Sequence, residues 1–198
     1  MYARVGQFRA AVGTVNPLRA DTYGALIVQA GGGSLQEAAV NGRLFSVANQ
    51  AAVAVTAGLT TTWTGLGVAN PTGSGKLLII HEFGWSTNVV NPAEGVVGLM
   101  TATDTGFAAA LSARCARNGY ATSVAFCDDG ATISTPILER VCGSTMEGAI
   151  TTTPQLGVNI YDIKGGIVLA AGRSVLTYHS IGGTASLIFH FLWEEIDA

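Results

Sequence analysis

The stretch "TASLIFHFLWEEI" (Thr184 to Ile196) constrains the fold more than any other part of this sequence. Alternation with period two places Leu187, Phe189, Phe191 and Trp193 on one face of a strand, and Ile188, His190 and Leu192 on the other. A second stretch, "KLLIIHEFGW", repeats the pattern: Leu77, Ile79, His81, Phe83 and Trp85 point one way, Leu78, Ile80 and Glu82 the other. Both strands are apolar on two faces, whereas an antiparallel sheet usually keeps one face wet. Each large side chain left bare would forgo roughly 1.5–3 kcal/mol of burial, so the second face calls for a partner. Sheet-to-sheet packing between subunits supplies one.

Composition leads the same way. Only 12% of the 198 residues are charged, mean hydropathy is +0.40, and there are 26 glycines. Typical domains carry about 25% charged residues and roughly 7% glycine. A monomer with so little charge would struggle to cover itself with polar groups, which implies surface hidden against other subunits. A membrane is not expected, because no run approaches the roughly 18 apolar residues that span a bilayer; the longest are "LLII" (77–80) and "IVLAA" (167–171). No apolar secretory segment opens the sequence. Net charge is −3 with scattered basic residues, which argues against nucleic-acid binding. Cys115, Cys127 and Cys142 contain no C-x-x-C pair, and read as small buried hydrophobes of a protein folding in a reducing compartment.

Three regions are expected: an extended N-terminal arm (1–24), a strand-rich stretch (25–75) and a β-body (76–198). The arm has no sustained period and too little apolar surface to fold alone. Asn41-Gly42, between apolar runs, predicts a hairpin turn. Gly31 to Ser34 reads as a loop and "GRSVLTYHS" as a strand. Two short helices are expected. One lies in "DTGFAAALSARCARNG", with Phe107, Leu111 and Cys115 four residues apart and Arg114 and Arg117 near its end. The other is "STPILERVCG", which reads equally well as an edge strand. Asp128-Asp129-Gly130 reads as a turn.

Motifs that would carry chemistry are incomplete. "NPTGSGKLLII" (70–80) resembles a phosphate loop, but Asn70 stands where the first glycine is needed and Leu77 where a hydroxyl is needed. The residues after Lys76 have a strand period, so no helix N-terminus would face a phosphate. His81-Glu82 lacks the second histidine of a zinc-protease signature, that position being Trp85. Three strands could bring His81, His179 and His190 together around a metal, yet no H-x-H spacing supports it. Ser74 and Ser144 lack the glycines of a nucleophile elbow. Glu194-Glu195 reads as a solvated strand end. No catalytic residue, metal or cofactor is expected.

The segments "NGRLFSVANQ", "TTTWTGLGVANPTGSGKLLIIHEFGWS" and "GRSVLTYHSIGGTASLIFHFLWEEI" together resemble the head decoration, or cement, proteins of tailed bacteriophages. The resemblance covers roughly residues 40–90 and 165–197 and rests on texture and segment order. It implies a mainly β, jelly-roll-like antiparallel sandwich or barrel, a homotrimer, and a place on the capsid exterior after assembly in the host cytoplasm. The partners it implies are the major capsid protein and the chain itself. An arm carrying Arg4, Phe8, Arg9 and Arg19 would contact the capsid, while Phe83, Trp85, Phe189, Phe191 and Trp193 would lie in the core or between subunits. The competing expectation is a trimeric receptor- or glycan-binding module of a head or tail fibre, with Trp63, Trp85 or Tyr120 exposed at loop tips.

Overall fold

Apolar runs of period two and abundant β-branched residues give this chain strands over most of its length. The computed structural model describes residues 8–10, 14–16, 34–87, 95–103, 106–145, 158–182 and 187–198. Two compact units are present, Met1–Glu37 and Ala38–Ala198. In the first, β1 (Phe8–Ala10) and β2 (Thr14–Asn16) pair antiparallel, with Arg9 opposite Val15. Of the expected arm residues, Phe8 and Arg9 lie on β1, and Arg4 and Arg19 lie outside the described residues.

After the helix α1 (Ser34–Val40) come ten strands: β3 (Leu44–Ala48), β4 (Thr62–Asn70), β5 (Lys76–Thr87), β6 (Gly95–Thr103), β7 (Arg114–Cys115), β8 (Phe126–Thr132), β9 (Ser134–Thr145), β10 (Val158–Leu169), β11 (Arg173–His179) and β12 (Leu187–Asp197). They form two five-stranded antiparallel sheets, ordered β10-β5-β12-β3-β7 and β8-β4-β11-β6-β9, packed as a sandwich. The expected mainly β fold is therefore observed. With the edge strands β7 and β8 set aside, eight strands remain, and their pairing is nested. The first pairs with the last (β3 with β12), the second with the seventh (β4 with β11), the third with the sixth (β5 with β10) and the fourth with the fifth (β6 with β9). The chain is thus one long hairpin rolled back on itself.

Between the sheets lies a continuous apolar core. Phe83 is its hub, with ring centroids 5.5 Å from Trp85, 6.0 Å from Phe189 and 5.2 Å from Phe191. Phe45 stacks on Trp193 at 6.2 Å. Such ring pairs add about 0.5–1.5 kcal/mol each beyond the area they bury.

Several local expectations give way to tertiary context. Asn41-Gly42 ends α1 instead of turning a hairpin: Gly42 N–H donates to Ala39 O and Arg43 N–H to Ala38 O, the pattern of a glycine-capped helix end. Gly42 has φ +71°, and a Cβ there would fall 2.1 Å from the Tyr120 ring. The described part of the first expected helix is not helical. Leu111 N–H donates to Cys127 O, and Arg114–Cys115 pairs with Ser46 and Phe45 as β7. Of the two readings of "STPILERVCG", the edge strand is the one observed, as β9, where Pro136 costs no interior hydrogen bond. Asp128 to Gly130 lie within β8, not in a turn. No boundary falls near residue 75, because β3 and β4 are integral strands of the sandwich.

The phosphate-loop look-alike is the link from β4 to β5. Ser74 N–H donates to Pro71 O, and the buried Asn70 donates Nδ2–H to Lys76 O and Leu169 O. Lys76 meets Asp197 at 2.6 Å across the strand end.

Candidate assembly interface

The five aromatic residues singled out from the sequence, Phe83, Trp85, Phe189, Phe191 and Trp193, are all buried within the chain itself. They hold the core and are not available to a neighbouring subunit. For β12 the alternation holds throughout. For β5 it breaks at a bulge: Trp193 faces Ile80 and Leu192 faces Glu82, so His81 has no residue opposite it. An extra residue shifts the phase by one. Leu78 and Ile80 point inward before the bulge, Phe83 and Trp85 after it. On the other side β10 loops out residues 163–166 at the same level, with Asp162 facing Glu82 and Ile167 facing Ile80.

The two outer faces of the sandwich are finished differently. On the β8-β4-β11-β6-β9 sheet the chain supplies its own cover. Trp63, Ala69, Met100, Ala102 and Leu176 form a second apolar cluster closed by Phe107 and Ile133. Phe107 lies over Gly67, where a Cβ would be 2.6 Å from its ring, and packs 6.3 Å from Trp63. Asp128 fastens this cover, its Oδ2 accepting from Ala108 N–H at 2.8 Å. The second apolar face of this sheet therefore finds its partner inside the chain, not in another subunit.

Among the described residues, no such cover lies on the β10-β5-β12-β3 sheet. Register sets Ile160 and His190 on either side of Gly84, and Val168 and Glu194 on either side of Ile79. Val158, Ile160 and Val168 on the edge strand are 68%, 60% and 53% exposed. Leu77, Ile79, Ile188, Leu192 and Ile196 are half-buried among them. The charged groups of this face pair with one another. His190 Nε2 lies 2.8 Å from Glu82 Oε1, and Glu194 lies 3.0 Å from Arg43 and 3.6 Å from His81. Asp162 meets Lys164 at 3.6 Å. His190 reaches Glu82 by lying across Gly84, where a Cβ would sit 1.9 Å from the imidazole.

The remaining polar groups are structural. His179 belongs to the opposite sheet, buried between Thr145 Oγ1, 3.2 Å from its Nε2, and the Ile181 carbonyl at its Nδ1. The three histidines are therefore not brought together, and no group of three metal-ligating side chains occurs among the described residues. Glu195 is not solvated. It is buried, accepting from Ser123 Oγ–H (2.5 Å), Val124 N–H (3.2 Å) and Trp193 Nε1–H (3.2 Å). Cys127 is buried and Cys115 and Cys142 half-buried, all free thiols. Burial pushes Cys127 up to about 12, reinforced by Glu195 and Asp128, and pushes Cys142 up to about 11 against the opposing pull of Arg140.

Between β9 and β10 a cleft of about 330 Å³ opens, with Ile137, Glu139, Val168 and Arg173 in its walls. It adjoins the uncovered face through Val168. Among the aromatics expected at loop tips, Trp63 and Trp85 are buried; Tyr120 is exposed, with the Arg117 guanidinium 3.8 Å above its ring. The β10 contribution to the face was not expected from the sequence, although Val158, Ile160 and Asp162 alternate with period two. Comparison of the chain with family models, curated proteins and solved structures returned no match.

Proposed function

We propose that this chain is a structural virion protein, a head decoration or cement protein that binds the outer capsid surface and reinforces the shell against packaged DNA. The observation that carries the reading is the outer face of the β10-β5-β12-β3 sheet, largely apolar and covered by none of the described residues, as a subunit built for assembly needs, on a chain whose sequence resembles such proteins. The nested strand pairing is read as a jelly roll, a double-sheet form of eight strands. In this reading homotrimers sit where major capsid subunits meet, and the N-terminal arm with Arg4, Phe8, Arg9 and Arg19 reaches across a neighbour. The mechanism is mechanical. Area buried between adjoining subunits at roughly 25 cal/mol per Å² must be re-exposed before the shell can open.

The test is to add purified protein to heads that lack it, then measure co-sedimentation, copy number and resistance to heating. Hundreds of copies per head and a raised disruption temperature are expected. No binding, or a few copies at one vertex, refutes the reading. Removing residues 1–20 should abolish head binding while the far-ultraviolet dichroism of the β-body stays unchanged; undiminished binding would remove the arm from the mechanism. The receptor- or glycan-binding alternative is less favoured, because two of its three aromatic candidates are buried.

A further inference from the structure

We propose that the outer face of the β10-β5-β12-β3 sheet is the contact between copies of this chain. The inference rests on the assembly reading above and assigns the surface through which the protein meets itself. The contrast between the two sheets is the first argument. One outer face is covered by Phe107 and Ile133 of the same chain, whereas the other leaves Val158, Ile160 and Val168 more than half exposed beside a row of aliphatic side chains.

Charge is the second argument. The face carries Glu82, Asp162 and Glu194 against Arg43 and Lys164: Glu194 pairs with Arg43, Asp162 with Lys164, and Glu82 meets the His190 imidazole. Because two of the three carboxylates pair with cations within the face, three acids against two bases leave only one net negative charge per copy, and placing one copy on another brings no strong like-charge field with it. A strongly acidic or basic partner would gain little from a face of so small a net charge.

Size is the third. The 12 residues of β5, 11 of β12, 5 of β3 and 8 paired residues of β10, at about 3.3 Å each with strands about 4.8 Å apart, span roughly 570 Å². A specific interface should clear about 1,000 Å² in total, about 500 Å² per partner, which this face meets while staying below the roughly 800 Å² of a standard one. Sheets stack about 10 Å apart, a distance at which isoleucine and valine side chains interdigitate.

The experiment is sedimentation equilibrium or light scattering of the full chain, beside Ile160→Glu and Val168→Glu. Both positions are exposed on an edge strand, so the variants keep the core, and circular dichroism confirms that they fold. A mass that is a multiple of 20.3 kDa for the unaltered protein, falling to a single chain in the variants, is the expected result. A monomeric unaltered protein overturns the inference, as does an oligomer that both variants leave intact. Should the protein be monomeric and Ile160→Glu abolish head binding, the face belongs to the capsid and the inference is wrong while the decoration reading stands. An oligomer broken by the variants that never binds heads supports the inference and refutes the decoration reading.

Discussion

Glu195 offers the sharpest test of the packing argument. Its carboxyl group takes three donors, Ser123 Oγ–H, Val124 N–H and Trp193 Nε1–H, and thereby ties the segment before β8 to β12. In Glu195→Ala, all three lose their acceptor, Trp193 Nε1–H in a buried place and Ser123 Oγ–H and Val124 N–H in a half-buried one. An unsatisfied buried donor costs about 1–3 kcal/mol, a half-buried one less, and the Ser123 hydroxyl can turn elsewhere, so a loss of about 2–4 kcal/mol is expected. Glu195→Gln retains one carbonyl oxygen but sets its amide hydrogens against the remaining donors, which gives about 1–2 kcal/mol. Against a total of about 5–15 kcal/mol for a domain, the alanine variant should be severely weakened. Guanidinium unfolding followed by tryptophan fluorescence measures both, with Trp193 as the local reporter. An alanine variant within about 1 kcal/mol of the parent, at unchanged denaturant slope, would show that the carboxyl group does not hold this corner.

Two further results are expected. Phe107→Ala strips the cover from Trp63 and Gly67 and should cost about 2–4 kcal/mol with a marked change in Trp63 emission; a shift of only a few tenths would mean that the cover contributes little. Cys127 and Cys142 should resist alkylation in the folded protein at pH 8 and react rapidly once unfolded, because burial holds their thiols at about 12 and about 11, above the ordinary 9.0. A raised folded value favours folding fully below the unfolded value and loses that contribution as pH climbs through the folded one, so stability should fall between about pH 9 and 12; rapid labelling of native Cys127 would contradict its burial.

Where a local pattern had no rival, the sequence was readable. The two faces of β12 and the turn from Asn70 to Lys76 follow from alternation and turn chemistry, whereas the sandwich came only with the family resemblance. Misreadings came where a distant contact outweighed a local signal. Phe107, Leu111 and Cys115 have helical spacing, yet a sheet face needs covering and β3 needs a neighbour, so each side chain takes a different task. Asn41-Gly42 suits a left-handed residue in either setting, and only the presence of α1 decides between a hairpin and a helix cap. The bulge at His81 leaves no mark in composition, since it lies in a run of strand formers and is defined by what faces it. Glu195 passed for a solvated strand end because its donors on the segment before β8 lie 71 and 72 positions away. In the candidate interface, Ile188, His190 and Leu192 were legible as one face of β12; the β10 residues and the internal pairing of charges were not, since both depend on register.

The nested strand order also bears on how the chain is made. β12 sits between β5 and β3 in its sheet, yet it is synthesised after all the other described strands. After Ala48 emerges, translation at about 5–20 residues per second needs roughly 7–28 s to deliver Leu187, and until then β3 lacks its long neighbour. Sheets closed by such distant pairs also fold slowly, in milliseconds to seconds. Throughout that interval the inner faces of β3 and β5, with Phe45, Leu78 and Phe83, are without the strand that joins them. Premature termination before residue 187 therefore yields a sticky fragment, and yield in a host will depend on how well its chaperones shield nascent chains.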